Sequence, residues 1–117
     1  MTPSSFTLPR QGLYALTPDH TGDIDVLVAR VLAVVAGGAV LVQYRDKSAP
    51  GAERGARAKA LVQACRAVGV PLIINDSVTL AAETGAAGVH LGRDDGPLAD
   101  ARAALGRQAI IGVSCYD

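Results

Sequence analysis

Gln43, Arg45, Asp46 and Lys47 stand in one short stretch, Asn75 and Asp76 in a second, His90, Arg93, Asp94 and Asp95 in a third, and Ser114 in a fourth. Arg45 offers a planar fork of donors and Lys47 a mobile point charge, a combination suited to the oxygens of a pyrophosphate. Gln43 and Asn75 can each donate and accept hydrogen bonds, as the edge of a heterocycle requires. Asp76 and Asp95 are hard oxygen ligands. Mg²⁺ is usually held by one or two carboxylates, with waters and substrate phosphates filling the octahedron, and no cluster of His or Cys points to a softer metal. The implied ligand is a nucleotide-like diphosphate, with Mg²⁺ as its metal.

Each residue also has a plainer reading. Strand ends meet loops and are polar in any α/β protein, and Asp76 alone would serve as a helix cap. His90 reads as a packed strand residue, Cys115 as a buried thiol and Tyr44 as core. The set is what favours a site: cations, amides and separated carboxylates gathered on one rim would carry a desolvation cost unless a ligand joined them. No G-x-G-x-x-G, P-loop or nucleophile elbow occurs, so dinucleotide, kinase and hydrolase readings lack their central residues.

The elements that must position these residues follow from apolar patterning. Gly12 to Thr17 is a short apolar run closed by Pro18 and Asp19, which predicts a first strand. Ile24, Leu27, Val28, Val31, Leu32 and Val35 form a helical stripe, with Asp23 placed to cap it and Gly37 to stop it. Ala39 to Tyr44 predicts a second strand. Gly51 to Val68 predicts a second helix with Leu61, Ala64, Cys65 and Val68 as its core stripe. Pro71 to Asn75, Gly88 to Leu91 and Ala109 to Val113 read as three more strands. A short helix capped by Asp76 or Ser77 separates the first two of these, and a helix opened by Pro97 at its first turn separates the last two.

Strands apolar on both faces and alternating with helices indicate parallel βαβ units. A repeat of roughly 25 residues suits a doubly wound sheet or a (β/α)8 barrel. Either fold places its site along the C-terminal strand ends, where the polar residues collect. Alternation along the second strand groups Gln43 and Arg45 with Ala39 and Leu41, and sends Val40, Val42 and Tyr44 toward the helices.

The chain has 117 residues, half of them apolar, which suits one domain with a real core. Lys plus Arg and Asp plus Glu are 11 each, so the formal charge is zero and nothing suits a nucleic-acid backbone. The apolar run Val31 to Val42 is divided by Gly37 and Gly38 and is too short to span a bilayer. Cys65 and Cys115 lack metal or disulfide spacing, and residues 1–11 read as a lead-in without signal-peptide character; the protein is expected to be cytoplasmic.

The strings Gly12-Leu13-Tyr14-Ala15-Leu16-Thr17, Gln43-Tyr44-Arg45-Asp46-Lys47, Ile74-Asn75-Asp76, Gly88 through Asp95 and Ile111-Gly112-Val113-Ser114 resemble, in order and spacing, those of the thiamine phosphate synthases. Each string alone is weak; together, on consecutive strands, they are specific. The resemblance covers Gly12 to Asp117. It implies a TIM barrel, incomplete here at about five strands and four helices. The implied reaction joins 4-amino-2-methyl-5-hydroxymethylpyrimidine pyrophosphate to a thiazole phosphate, giving thiamine phosphate and pyrophosphate with Mg²⁺. Departure of pyrophosphate would leave a pyrimidine carbocation that the thiazole nitrogen captures. The resemblance further implies that Gln43, Tyr44, Arg45, Asp46, Lys47, Asn75 and Ser114 contact the pyrimidine substrate. Arg45 and Lys47 would be the groups that stabilise the leaving pyrophosphate, and Asp76 and Asp95 the Mg²⁺ ligands.

Two departures stand out. Arg93 replaces the family's usual Gln, and the family's later strands, with their Thr-rich motif and Gly-rich phosphate loop for the thiazole phosphate, have no counterpart in this sequence. The expectation is a truncated product or fragment whose open sheet edges would permit self-association. The competing readings are a thiazole tautomerase-like barrel relative and a non-catalytic pyrophosphate-binding fragment. The full set from Gln43 to Asp95 argues against the tautomerase-like reading.

Overall fold

The computed structural model describes residues 12–19, 22–92 and 96–114; the lead-in, the Arg93–Asp95 segment and Cys115 lie outside them. Strands β1 (Leu13–Leu16), β2 (Ala39–Tyr44), β3 (Leu72–Asn75), β4 (Gly88–Leu91) and β5 (Ile110–Val113) alternate with helices α1 (Ile24–Ala36), α2 (Gly51–Ala67), α3 (Val78–Thr84) and α4 (Leu98–Leu105). The order within the sheet is β1-β2-β3-β4-β5, and every adjacent pair is parallel. This is the alternating α/β order that the patterning predicts, arranged as the half-barrel that the resemblance implies.

Local chemistry explains the boundaries. The Asp23 carboxylate accepts from the Asp25 N–H at 2.8 Å and caps α1, and the Gly37 N–H closes the helix on Ala33. Ser77, rather than Asp76, caps α3 by accepting from the Leu80 N–H at 3.0 Å. Pro97 takes the cap position of α4, one residue before the first turn expected for it.

The stripe on α2 also differs from expectation. Arg57, Ala58, Leu61, Val62 and Cys65 are its buried residues, whereas Val68 is half exposed because the helix ends at Ala67 and Val68 turns away at the C-cap.

One face of the sheet packs against the helices. Val42, Tyr44, Leu72, Ile74, Val89 and Leu91 meet Leu27 and Val31 of α1, Ala58, Leu61 and Cys65 of α2, Ala81 of α3 and Ala101 of α4 in one apolar cluster. The alternate residues Leu41, Gln43 and Ile73 are also buried, on the inner face. Double burial is why these strands read as continuous apolar runs. Burial pushes the Cys65 thiol up to about 11, so it stays protonated and unreactive at neutral pH.

Gly88 is required for the sheet to close between β4 and β5: a Cβ there would strike the backbone of Ile110, its register partner. Gly88→Ala is expected to destabilise the fold by about 3 kcal/mol, seen as a lower melting temperature by circular dichroism. An unchanged melt would mean that β5 does not pack against β4 as described.

Candidate functional site at the C-terminal strand ends

At the end of β2, side chains alternate between the inner face and the helix layer. Gln43 lies inward, its Nε2 donating to the Tyr14 hydroxyl at 2.6 Å. Burial raises the Tyr14 pKa and the bond from Gln43 partly offsets it. The Arg45 side chain is exposed while its backbone is clamped: its N–H donates to Thr17 Oγ1 at 3.0 Å, and the Thr17 hydroxyl donates back to the Arg45 carbonyl at 3.2 Å. The Lys47 N–H donates to Asp19 Oδ1 at 2.8 Å. The β1–α1 loop therefore braces the loop that carries both cations.

Tyr44 and Asp46, expected among the substrate contacts, are placed differently. Tyr44 is buried in the helix-side cluster, in keeping with its plainer reading as core, and its hydroxyl donates to Asp46 Oδ2 at 3.2 Å. Asp46 is buried and forms an ion pair with Arg57 of α2 at 3.0 Å; the two side chains are 0% and 6% exposed. Its oxygens also accept from the Ser48 N–H and hydroxyl, at 3.1 and 2.9 Å, and from the Ala49 N–H at 3.2 Å. Both residues help wall a cleft, and their side-chain polar atoms are engaged with the protein.

Burial by itself would raise the Asp46 carboxyl, yet the bonds from Ser48, Arg57 and Tyr44 bring it below the ordinary carboxylate value. Tyr44 is pushed up to about 12 by burial, with the Asp46 charge and hydrogen bond adding to it, so it remains a donor.

At the end of β3, Asn75 is half-buried and pairs in register with His90. Asp76 holds a left-handed backbone at φ 70°, and its N–H donates to the His90 carbonyl at 2.8 Å. Asp is among the few residues that enter this region at low cost, and such conformations concentrate at functional sites. The turn brings the Asp76 carboxylate against the Lys47 ammonium in an ion pair. Together with Tyr44, Asp46, Arg54, Ile74, Asn75, Ser77 and Leu80, this pair lines a cleft of ≈ 160 Å³.

Arg54 was not singled out by sequence reading. Its Nη2 donates to the Ala49 carbonyl at 3.0 Å, and its buried Nε has no hydrogen-bond partner among the described residues.

His90 and Ser114 meet on the inner face, with His90 Nε2 2.8 Å from Ser114 Oγ. Gly112 makes room for the ring, since a Cβ there would stand 2.6 Å from His90 Nδ1. The reading of His90 as a packed strand residue overlooked this polar contact, for which the alternation along β4 was the available signal. Thr17 and Asp19 had no such signal, because their role depends on the pairing of Leu16 with Gln43 across strands. Arg57 had one: a charged residue at the spacing of the apolar stripe Leu61 and Cys65.

As to metal, no cluster of three His, Cys, Asp or Glu side chains occurs among the described residues, and Asp95 lies outside them. Asp76 supplies a half-buried carboxylate that already holds a cationic group, the Lys47 ammonium, at the cleft. Its oxygen-only chemistry fits a hard cation such as Mg²⁺.

The family model for thiamine monophosphate synthase matches residues 13–117. A thiamine-phosphate synthase of Methylobacillus flagellatus is 56% identical over 109 residues, covering 93% of this chain and 52% of that protein. One of Methylococcus capsulatus is 52% identical over 109 residues, covering 93% and 48%. The solved structure of a thiamine phosphate pyrophosphorylase from Pyrococcus furiosus superposes with a TM-score of 0.73 at 32% identity, covering 88% of this chain and 49% of that one. The chain thus spans about half the length of the curated relatives it matches. With the motifs of all five strands in register and the profile running from β1 to the last residue, this chain belongs to the thiamine monophosphate synthase family.

Proposed function

We propose that this chain forms the pyrimidine-pyrophosphate-binding half of a cytoplasmic thiamine phosphate synthase, a transferase that releases pyrophosphate as it joins the pyrimidine to a thiazole phosphate. The observation that supports this most is the convergence of Lys47, Asn75 and Asp76 at adjoining strand ends, with Arg54 adding a guanidinium to the same cleft and Arg45 following β2 beside it with an exposed side chain. Lys47 and Arg45 would take the negative charge that accumulates on the departing pyrophosphate, and fixed groups of this kind act without reorganising during the reaction.

Gln43, Asn75 and Ser114 lie on or beside the inner face and would orient the pyrimidine by hydrogen bonds. Asp76, with Asp95, would hold Mg²⁺. The metal would supply a Lewis acid for the phosphate oxygens. In the same event Lys47 would exchange its carboxylate partner for a phosphate.

Calorimetric titration with the pyrimidine pyrophosphate, with and without Mg²⁺, tests this reading. The expected result is Mg²⁺-dependent binding that weakens by about tenfold or more in Lys47→Met. A folded chain that shows no binding overturns the proposal.

A further inference from the structure

The group formed by Arg57, Asp46 and Tyr44 lies on the helix side of the sheet, and nothing above gives Arg57 a part in binding. A buried ion pair is seldom a better stabiliser than apolar packing of the same volume, and Ala58, Leu61 and Cys65 of the same helix show that such packing was open to α2. What the pair secures is geometry, because its contacts end on the segment that carries the two site cations. Asp46 Oδ1 gathers the N–H groups of Ser48 and Ala49 at 3.1 and 3.2 Å, while Oδ2 is fixed by the Tyr44 hydroxyl at 3.2 Å and by Arg57 Nη1 at 3.0 Å.

The other arm of the guanidinium, Nη2, donates to the Gly22 carbonyl at 3.2 Å, in the segment leading into α1. That same connection supplies Thr17 and Asp19, which hold the backbone of Arg45 and Lys47. One side chain thereby ties together the two loops that meet at the site.

We propose that Arg57, acting through Asp46, is a positioning residue that fixes the 45–49 segment in the conformation presenting Arg45 and Lys47 to a pyrophosphate. This role rests on the proposed function above. Its distinguishing requirement is the fork: a lysine at 57 keeps the charge, but a single ammonium cannot hold Asp46 and Gly22 in the geometry that two guanidinium nitrogens provide.

The test compares the full-length wild type, Arg57→Lys and Lys47→Met by amide hydrogen exchange and by titration with inorganic pyrophosphate. In Arg57→Lys the Ser48 and Ala49 amides are expected to exchange about tenfold faster and the pyrophosphate Kd to rise by about tenfold or more, with a cooperative melt retained. A residue that only packs the helix would lower the melting temperature and move neither of these readouts. Should Arg57→Lys fail to fold, Asp46→Asn serves as the second variant, with the same expected exchange and affinity. A wild type that binds while the variant keeps its exchange rates or its Kd overturns this role alone. A folded wild type that binds no pyrophosphate overturns the proposed function and this role with it.

Discussion

Asp76→Asn is expected to weaken binding of the pyrimidine pyrophosphate in the presence of Mg²⁺ by about a hundredfold, or ~3 kcal/mol, and to leave the fold intact. Asn enters the left-handed region as readily as Asp does, so the φ of 70° at this position is not strained by the exchange. The ion pair that is lost joins side chains 50% and 32% exposed, and exposed pairs add little to stability. The substitution therefore separates charge from shape. Calorimetry with and without Mg²⁺, alongside a thermal melt, checks it. If the Mg²⁺ dependence survives the exchange, Asp76 is not a metal ligand.

The second large effect concerns folding. Arg57→Met removes the cation and leaves the Asp46 carboxylate buried at 0% side-chain exposure, a change expected to destabilise the protein by about 4 kcal/mol at pH 7. The pH dependence fixes the sign. In the wild type the Asp46 carboxyl titrates below its ordinary value, so its stabilisation is present above the unfolded carboxylate range, near pH 4, and is lost as pH falls through the lower folded value. Without Arg57 the carboxylate keeps its bonds from Ser48 and Tyr44 but loses its cation, so it titrates higher than in the wild type and acidification costs the variant less than it costs the wild type. Urea denaturation should show the gap between the two narrowing as the pH falls through the carboxylate range. A constant gap would place the cost in lost packing rather than in the stranded charge.

The fold was legible because its signals are local. Among the described residues, short apolar runs marked the five strands, helical stripes marked α1 and α2, and cap residues marked α3 and α4, with Asp23, Gly37 and Ser77 setting ends through bonds made within a turn. The candidate site was legible in its residue types and less so in its directions. Arg45, Lys47, Asn75 and Asp76 fall where strand ends converge, as expected, yet the motif string alone counts Tyr44 and Asp46 as equals of Gln43 and Arg45. Alternation along β2 sends Tyr44 into the helix layer, and the Asp46 carboxylate follows because its partner Arg57 waits there. Thr17, Asp19 and Arg54 were missed because each acts across a distance in the chain that only the folded sheet brings together.

The strand order matches the chain order, and that bears on how the molecule is made. Among the described residues each strand pairs with its neighbours in sequence, and helix contacts follow the same succession from α1 to α4. No strand has to wait for a distant one, so loop closure stays short at every step and a nascent chain can add one strand–helix unit at a time to those already formed. The buried centre, around Val42, Ile74 and Val89, should then resist opening longest. Assembly by accretion of this kind lets each unit find its place on the one made just before it.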